Sequence, residues 1–237
     1  MKKRLLFIVL ALTLTLLLTA CTAAETPAAE TPAAETPAAE TPAAETPAAE
    51  EPEIAPAEEP EIAETAPGTF QEEGLRHAEI AVENYGTIRL ELDGTTAPIT
   101  VENFVKLAQD GFYDGLTFHR IMDGFMIQGG DPLGNGTGGA SEHIKGEFAA
   151  NGVENNISHT KGTISMARAT PYDSASSQFF IMVGDARYLD GMYAAFGRVT
   201  EGIEIVEQIA KDAKPVDNNG TILPEEQPVI TSIVITD

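Results

Sequence analysis

A single cysteine, Cys21, is all the thiol chemistry this chain of 237 residues contains, so no disulfide can form within it. Basic side chains are scarce too: 14 Lys and Arg stand against 37 Asp and Glu, a net charge of −23. Phosphate backbones are gripped by Lys and Arg, so this balance argues against a nucleic-acid partner. The four histidines, His77, His119, His143 and His159, show no metal-ligand spacing such as H-E-x-x-H. Ser174, Ser176 and Ser177 lack a nucleophile elbow and read as a turn. No metal and no cofactor is expected.

What the chain does have is sharply zoned. Lys2, Lys3 and Arg4 precede an apolar run from Leu5 to Ala20, the layout of a secretory signal. That run is short for a bilayer core of about 30 Å, which argues against a retained membrane span. It ends in Leu18-Thr19-Ala20-Cys21, which resembles the lipobox of bacterial lipoproteins. In that family the cysteine thiol receives a diacylglycerol and cleavage makes it the new N-terminus. Residues 1–20 are therefore read as a lipoprotein signal peptide and Cys21 as the lipidation site. Two acyl chains suffice for stable attachment where one is marginal.

Residues 21–74 then form a linker. E-T-P-A-A recurs five times from Glu25 to Ala49, followed by a degenerate Glu, Pro and Ala stretch. Between 22 and 74 there are 14 acidic residues and no basic one. So little apolar bulk cannot offset chain entropy, which excludes a packed solenoid. Regular prolines favour polyproline II, and evenly spaced like charges stiffen it. At about 3.1 Å per residue the linker could hold a domain on the order of 100 Å from a membrane. That is a spacer through a cell-wall or periplasmic layer; a disordered tail with no length requirement is the plainer alternative.

Residues 75–237 remain for one domain with a sizeable core. AEIAVENYGTIRLEL alternates apolar and polar on either side of Asn84-Tyr85-Gly86, which predicts a hairpin over 78–84 and 86–92. Thr100 is placed to cap a helix with Val101, Phe104, Val105 and Ala108 on its apolar face and Gly111 at its stop. Short strands are expected near 117–121, 125–129, 163–167, 178–183, 194–199 and 229–236. A second helix is expected over 202–211, with Ile203, Val206, Ile209 and Ala210 on one face. Some eight strands and two helices predict a mainly β domain: a closed eight-stranded antiparallel β-barrel capped by the two helices.

One stretch stands out. FHRIMDGFMIQGGD, residues 118–131, sets Arg120 among apolar side chains with no paired carboxylate or nucleophile close by. The GGDPLGNGTGGAS that overlaps its end lacks the Gly-Lys-Ser/Thr close of a phosphate loop. Asp131, Asn135, Gly136 and Glu142 fall at EF-hand positions, but Leu133 occupies a ligand position and no flanking helices are visible. Its glycines are read as tight turns or close backbone approaches. At period two, Phe118, Arg120 and Met122 share one side of a strand, Met126 and Gln128 a face of the next, and Gln178 and Phe180 a face of another. His119 reads as a hydrogen-bonded core residue. One arginine, two glutamines, a methionine and a phenylalanine make an apolar pocket with a few polar fixtures, the pattern of a small-ligand site.

FHRIMDGFMIQGGDPLGNGTGG, KGTISMARA, SSQFFIM and YLDGMYAAFGRV follow one another in this order. From about Ala78 to Ile235 the chain resembles the cyclophilin family of peptidyl-prolyl cis–trans isomerases in its bacterial form. The resemblance implies that Arg120 is catalytic and that Gln128 supports it. It implies that Phe125, Met126, Phe180 and Leu189 line a proline pocket, that Ala167 and Arg168 offer main chain to the peptide, and that Gln178 borders the groove. Tyr193 stands where the family pocket often has His, and Arg168 where it often has Asn. Many members have Trp at the position of Tyr188, on the rim of the drug pocket, a departure that bears on drug binding more than on catalysis.

The expected function is therefore rotation of X–Pro bonds in proline-containing clients that fold after export, with no covalent intermediate. The protein is expected to act as a monomer, lipid-anchored through Cys21 to the outer face of the cell membrane, or to its periplasmic face in a cell with two membranes. Two readings from other classes stay open. A proline-peptide binding module or holdase would show little turnover. A surface adhesin using the barrel as scaffold would bind host or wall material regardless of pocket mutations. The front end makes its own prediction: mass spectrometry of the native N-terminus should find lipid on Cys21, and Cys21→Ser should release or misprocess the protein. An unmodified Cys21, or cleavage elsewhere, would refute the anchor.

Overall fold

The computed structural model describes residues 74–237. The expected signal peptide, the Cys21 lipid site and the linker up to residue 73 lie outside the described residues. The strands are β1 (Leu75–Val82), β2 (Gly86–Asp93), β3 (Thr117–Met122), β4 (Met126–Asp131), β5 (Thr163–Met166), β6 (Phe179–Met182), β7 (Ala195–Glu201) and β8 (Ile230–Ile235). The helices are α1 (Pro98–Gln109) and α2 (Ile203–Asp212). Three single 3-10 turns, Ala149–Asn151, Arg187–Leu189 and Pro224–Glu226, were not foreseen. The expected hairpin is there, with Val82 opposite Gly86 and Ala78 opposite Leu90.

All strand pairs are antiparallel, in the order β3-β4-β6-β5-β7-β2-β1-β8. The expected closed barrel is corrected to a curled sheet that stops short of closure. Its end strands, β3 and β8, share no ladder. They meet through the isolated bridge Thr117↔Val229 and bonds beside it, such as Ile230 N–H to the Leu116 carbonyl at 2.7 Å. The reason lies at the free edge of β3. Ile121 N–H donates to Gly220 O (2.8 Å) and Ile222 N–H to His119 O (3.0 Å), so the segment after α2 occupies that edge instead of β8.

The helix α1 also begins differently. It starts at Pro98, whose missing N–H suits a first turn, and Thr100 lies inside it rather than at its cap. Its orphan amides are met from a distance by the buried Glu147. That carboxylate accepts from Ile99 N–H (3.1 Å), Thr100 N–H (2.8 Å) and the Thr100 hydroxyl (2.7 Å). A negative charge at a helix N-terminus also complements the macrodipole. The helix buries Val101, Phe104, Val105 and Ala108 as the pattern predicted. Phe104 packs 5.3 Å from both Tyr113 and Phe196 and edge-on to Phe179 at 5.6 Å, in the main core. Gly202 opens α2 at φ 87°, and a Cβ there would sit 2.7 Å from the Thr87 carbonyl, so glycine is required.

Glu147→Ala should cost about 1–3 kcal/mol, because it strands buried donors at the start of α1. Thr100→Val removes one of the same bonds. The double variant should lose less than the two single losses combined. Urea unfolding of the four proteins measures this, and additive losses would contradict the shared cap.

Candidate active site

Three adjacent strands carry the site, and their register decides which side chains meet. Arg120 of β3 lies opposite Gln128 of β4, and Gln128 opposite Phe180 of β6. Two residues along, Met122, Met126 and Met182 form a second row. Directly opposed residues share a face, so these six side chains project together. The row between them, Ile121, Ile127 and Ile181, with Ile164 on β5, points the other way and is fully buried in the core.

That parity does not run the whole length of β3. Phe118 pairs with Gly129 and Arg120 with Gln128, so two residues of β3 face one of β4. This is a bulge at His119, and it shifts the alternation by one. Phe118 therefore does not share the side of Arg120, contrary to the period-two reading. It is fully buried in the main core, edge-on to Phe179 at 6.2 Å. His119 is buried as expected, but neither ring nitrogen has a hydrogen-bond partner among the described residues. Burial pushes its imidazole below the usual range.

Arg120 is held from two sides. Its Nε donates to the Asn219 carbonyl (2.7 Å) and its Nη1 to Gln128 Oε1 (3.1 Å), with the Met122 sulfur 3.4 Å from Nη2. A guanidinium only donates, so Gln128 must turn its oxygen toward it. The Gln128 nitrogen then donates to Gln178 Oε1 (2.9 Å), and Gln178 Nε2 donates to the carbonyls of Gly138 (2.7 Å) and Gly136 (3.2 Å). This amide relay ties Arg120 to the glycine-rich loop. The loop in turn folds around Asp131, which accepts from the N–H groups of Leu133, Asn135 and Gly136. That carboxylate is engaged by the loop's own amides. Gly130 (φ 79°) lets β4 approach the segment before β6, since a Cβ there would lie 2.5 Å from the Ser177 carbonyl. Burial moves Arg120 below its ordinary pKa, but a guanidinium stays charged.

Met126, Phe180, Met182 and Ala186 form a buried apolar cluster apart from the main core. Met122, Phe125, Ala167, Leu189 and Tyr193 pack against it. Every residue expected to line the proline pocket is thus in one cluster. The chain of Gln128 and Gln178 borders it, as does a cavity of about 300 Å³ lined by those glutamines, Ala167 and the glycine-rich loop. Ala167 gives its N–H to the Gln178 carbonyl (2.9 Å). Tyr188 is 73% exposed and stacks on Phe125 at 6.3 Å, on the rim.

Sequence reasoning missed what stands behind the pocket. The fully buried His159 stacks on Phe180 (5.9 Å), its Nδ1 is 2.9 Å from Asp190 Oδ1, and its Nε2 is 3.0 Å from Ser165 Oγ. This has the order of a Ser-His-Asp triad, yet Ser165 is fully buried opposite Phe180, so it braces the wall instead of attacking a substrate. Burial holds His159 below its usual range against the pull of Asp190. Burial alone would raise Asp190, but hydrogen bonds from Ser158 and His159 bring it below the usual carboxylate range. Asn219 was missed as well, because a main-chain carbonyl 99 residues away leaves no mark in the sequence around Arg120. Met122 was read on the side of Arg120, and the same period-two spacing, two residues from Phe180, was the signal that could have found Met182. Among the described residues no cluster of His, Cys, Asp and Glu is arranged to hold a metal ion.

Comparison with known proteins agrees with this geometry. The family of cyclophilin type peptidyl-prolyl cis-trans isomerases matches residues 77–235. A peptidyl-prolyl cis-trans isomerase of Helicobacter pylori is 43% identical over 153 residues, covering 64% of this chain and 84% of that protein. Peptidyl-prolyl cis-trans isomerase B of Bacillus subtilis is 42% identical over 144 residues, covering 61% of this chain and 92% of that protein. A Cryptosporidium parvum cyclophilin type isomerase, whose crystal structure was solved in the presence of the dipeptide Ala-Pro, is 30% identical. It has a TM-score of 0.60 and covers 68% of this chain and 99% of that one. With its curled eight-stranded sheet and the family's match across the site-bearing strands, this chain belongs to the cyclophilin-type peptidyl-prolyl cis–trans isomerases.

Proposed function

We propose that this isomerase rotates X–Pro bonds by aiming the Arg120 guanidinium at the proline nitrogen, and that its clients are polypeptides folding after export. The observation that carries the mechanism is a cation fixed by the Gln128–Gln178 relay beside the apolar cluster of Phe125, Met126, Phe180 and Leu189. Rotation about a peptide bond faces a barrier of about 18–20 kcal/mol, because resonance gives C–N partial double-bond character. No bond breaks, so no nucleophile is needed. In the twisted transition state resonance is lost and the nitrogen lone pair becomes available. A donor held there stabilises the twisted state more than the planar one, and that difference accelerates the reaction. The apolar wall helps, since the planar amide is the more dipolar form and is better solvated by water. The Ala-Pro dipeptide used with the Cryptosporidium relative supports a proline-containing ligand for the same pocket.

The remaining parts of the reading concern where this happens. Cys21 at the end of the apolar run supports a lipid anchor, and the Glu, Pro and Ala linker to residue 74 supports a spacer between membrane and a monomeric isomerase domain over 75–237. The site would then work on clients emerging at the outer membrane face, or the periplasmic one where two membranes exist.

Arg120→Ala should lower turnover of a proline peptide by about 10²–10³, the range for losing one transition-state donor. Arg120→Lys should also be poor, since an ammonium cannot reproduce the fork that bonds Asn219 and Gln128 together. Isomer-exchange kinetics check both, with circular dichroism to confirm the fold. Full activity in a folded Ala variant would sink the mechanism and favour a binding module.

The rim makes a separate prediction. Where relatives have Trp, an indole N–H can donate to cyclosporin, but the Tyr188 hydroxyl lies at the ring tip and cannot donate from the same place. Losing that bond costs about 1–3 kcal/mol, so cyclosporin should bind roughly ten- to a hundredfold more weakly than to Trp-bearing relatives. Tyr188→Trp should tighten cyclosporin binding while proline-peptide turnover changes little. Nanomolar binding by the unaltered protein, or no gain from the substitution, would contradict this role.

A further inference from the structure

Arg168 and Tyr193, the two pocket positions that depart from the family pattern, meet in the structure. The Arg168 guanidinium carbon lies 4.8 Å from the Tyr193 ring centroid, 5.1 Å from that of Tyr172 and 5.2 Å from that of Phe148. Its Nε and Nη2 donate to the Met192 carbonyl (3.1 and 3.0 Å), and its Nη1 donates to the carbonyls of Ala169 (2.9 Å) and Thr170 (3.2 Å). Those bonds use four of the five N–H groups of a guanidinium, leaving one on Nη2. Among the described residues no carboxylate lies within 4 Å of this cation. It is half-buried and it lines two cavities. One is the cavity beside Gln128 and Gln178. The other, of about 530 Å³, is walled by Ala169, Thr170, Tyr172, Met192 and Tyr193.

We propose that this second cleft is a subsite for an acidic side chain of the client, glutamate above all, within a few residues of the proline. Charge complementarity argues for it, because an unneutralised cation is held rigidly in a domain that is otherwise strongly acidic. The geometry excludes an aromatic occupant stacked on the guanidinium, since rings already surround that group and only an N–H edge remains open. Edges of guanidinium groups bond carboxylates in charge-assisted fashion. Tyr172 and Met192, 40% and 38% exposed, offer apolar wall to the methylene stem of glutamate. Tyr193 belongs both to this cleft and to the proline-pocket cluster, where it packs edge-on to Phe180 at 5.9 Å. The two sites are therefore adjacent along one extended peptide. This assignment rests on the isomerase reading of the neighbouring pocket.

The test uses the full chain in detergent micelles and proline peptides carrying Ala, Gln, Glu or Lys at each of the three positions on either side of Pro. Exchange kinetics give kcat/KM for each. At one of these positions Glu should exceed Lys by about tenfold or more, with Gln between them. Raising ionic strength from about 0.05 to 0.5 M should shrink that ratio, since the cleft is open to solvent. In Arg168→Gln the ratio should fall to within about twofold, while in Arg187→Gln, on the exposed rim, it should persist. Equal kcat/KM for Glu and Lys at every position, or a preference that survives Arg168→Gln, would overturn the subsite. The salt arm decides the matter with the unaltered protein even if Arg168→Gln folds poorly: a preference insensitive to salt also overturns it. Turnover of the all-alanine peptide without any Glu preference removes this subsite and leaves the isomerase reading standing. No turnover of any peptide removes that reading instead.

Discussion

The groove exists because Arg120, Gln128 and Phe180 lie opposite one another on three neighbouring strands. Side chains alternate along a strand, so a slip of one residue would carry Ile121, Ile127 and Ile181 into the groove and the arginine into the core. That alternative is costly. Each isoleucine is fully buried, and burying such a side chain contributes about 1.5–3 kcal/mol. The apolar row thus locks the polar row in register. The bulge at His119 is what makes both rows possible, because it lets Phe118 stay in the core while Arg120 turns out of it.

Orientation within the groove comes from chains of hydrogen bonds rather than from ion pairs. Arg120 sets the direction of Gln128, Gln128 that of Gln178, and Gln178 ends on the carbonyls of the glycine-rich loop. No carboxylate within 4 Å neutralises Arg120 among the described residues, so its charge remains available to a substrate. On the other side of the pocket, His159 joins Asp190 and Ser165 and braces Phe180. A cation and an apolar wall, each held by hydrogen-bonded polar partners, can favour a twisted amide without reorganising during the reaction.

Much of this was legible in the chain itself. The hairpin around Asn84-Tyr85-Gly86 and the apolar faces of α1 and α2 follow from periodicity, and the pocket residues follow from period two together with the family resemblance. What was not legible came from partners distant in sequence. Glu147 caps α1 from 47 residues away, so Thr100, which looked like a cap, became its ligand. Asn219 contributes only a carbonyl, and every residue has one. A bulge cannot be read from alternation, because it is the place where alternation fails; that is why Phe118 was assigned to the wrong side. The segment over Gly220–Ile222 carries no strand pattern, so nothing warned that it would take the edge of β3 and leave the sheet open.

The central claim is that the relay makes Arg120 bind the twisted amide better than the planar one. The most direct measurement is line-shape analysis of one proline peptide bound to Gln128→Leu, which removes the acceptor that orients Nη1. It returns the Kd of each isomer and the interconversion rate on the enzyme. The account predicts that both Kd values stay within about twofold while the on-enzyme rate falls about tenfold or more. Weakened binding of both isomers with an unchanged on-enzyme rate would contradict it.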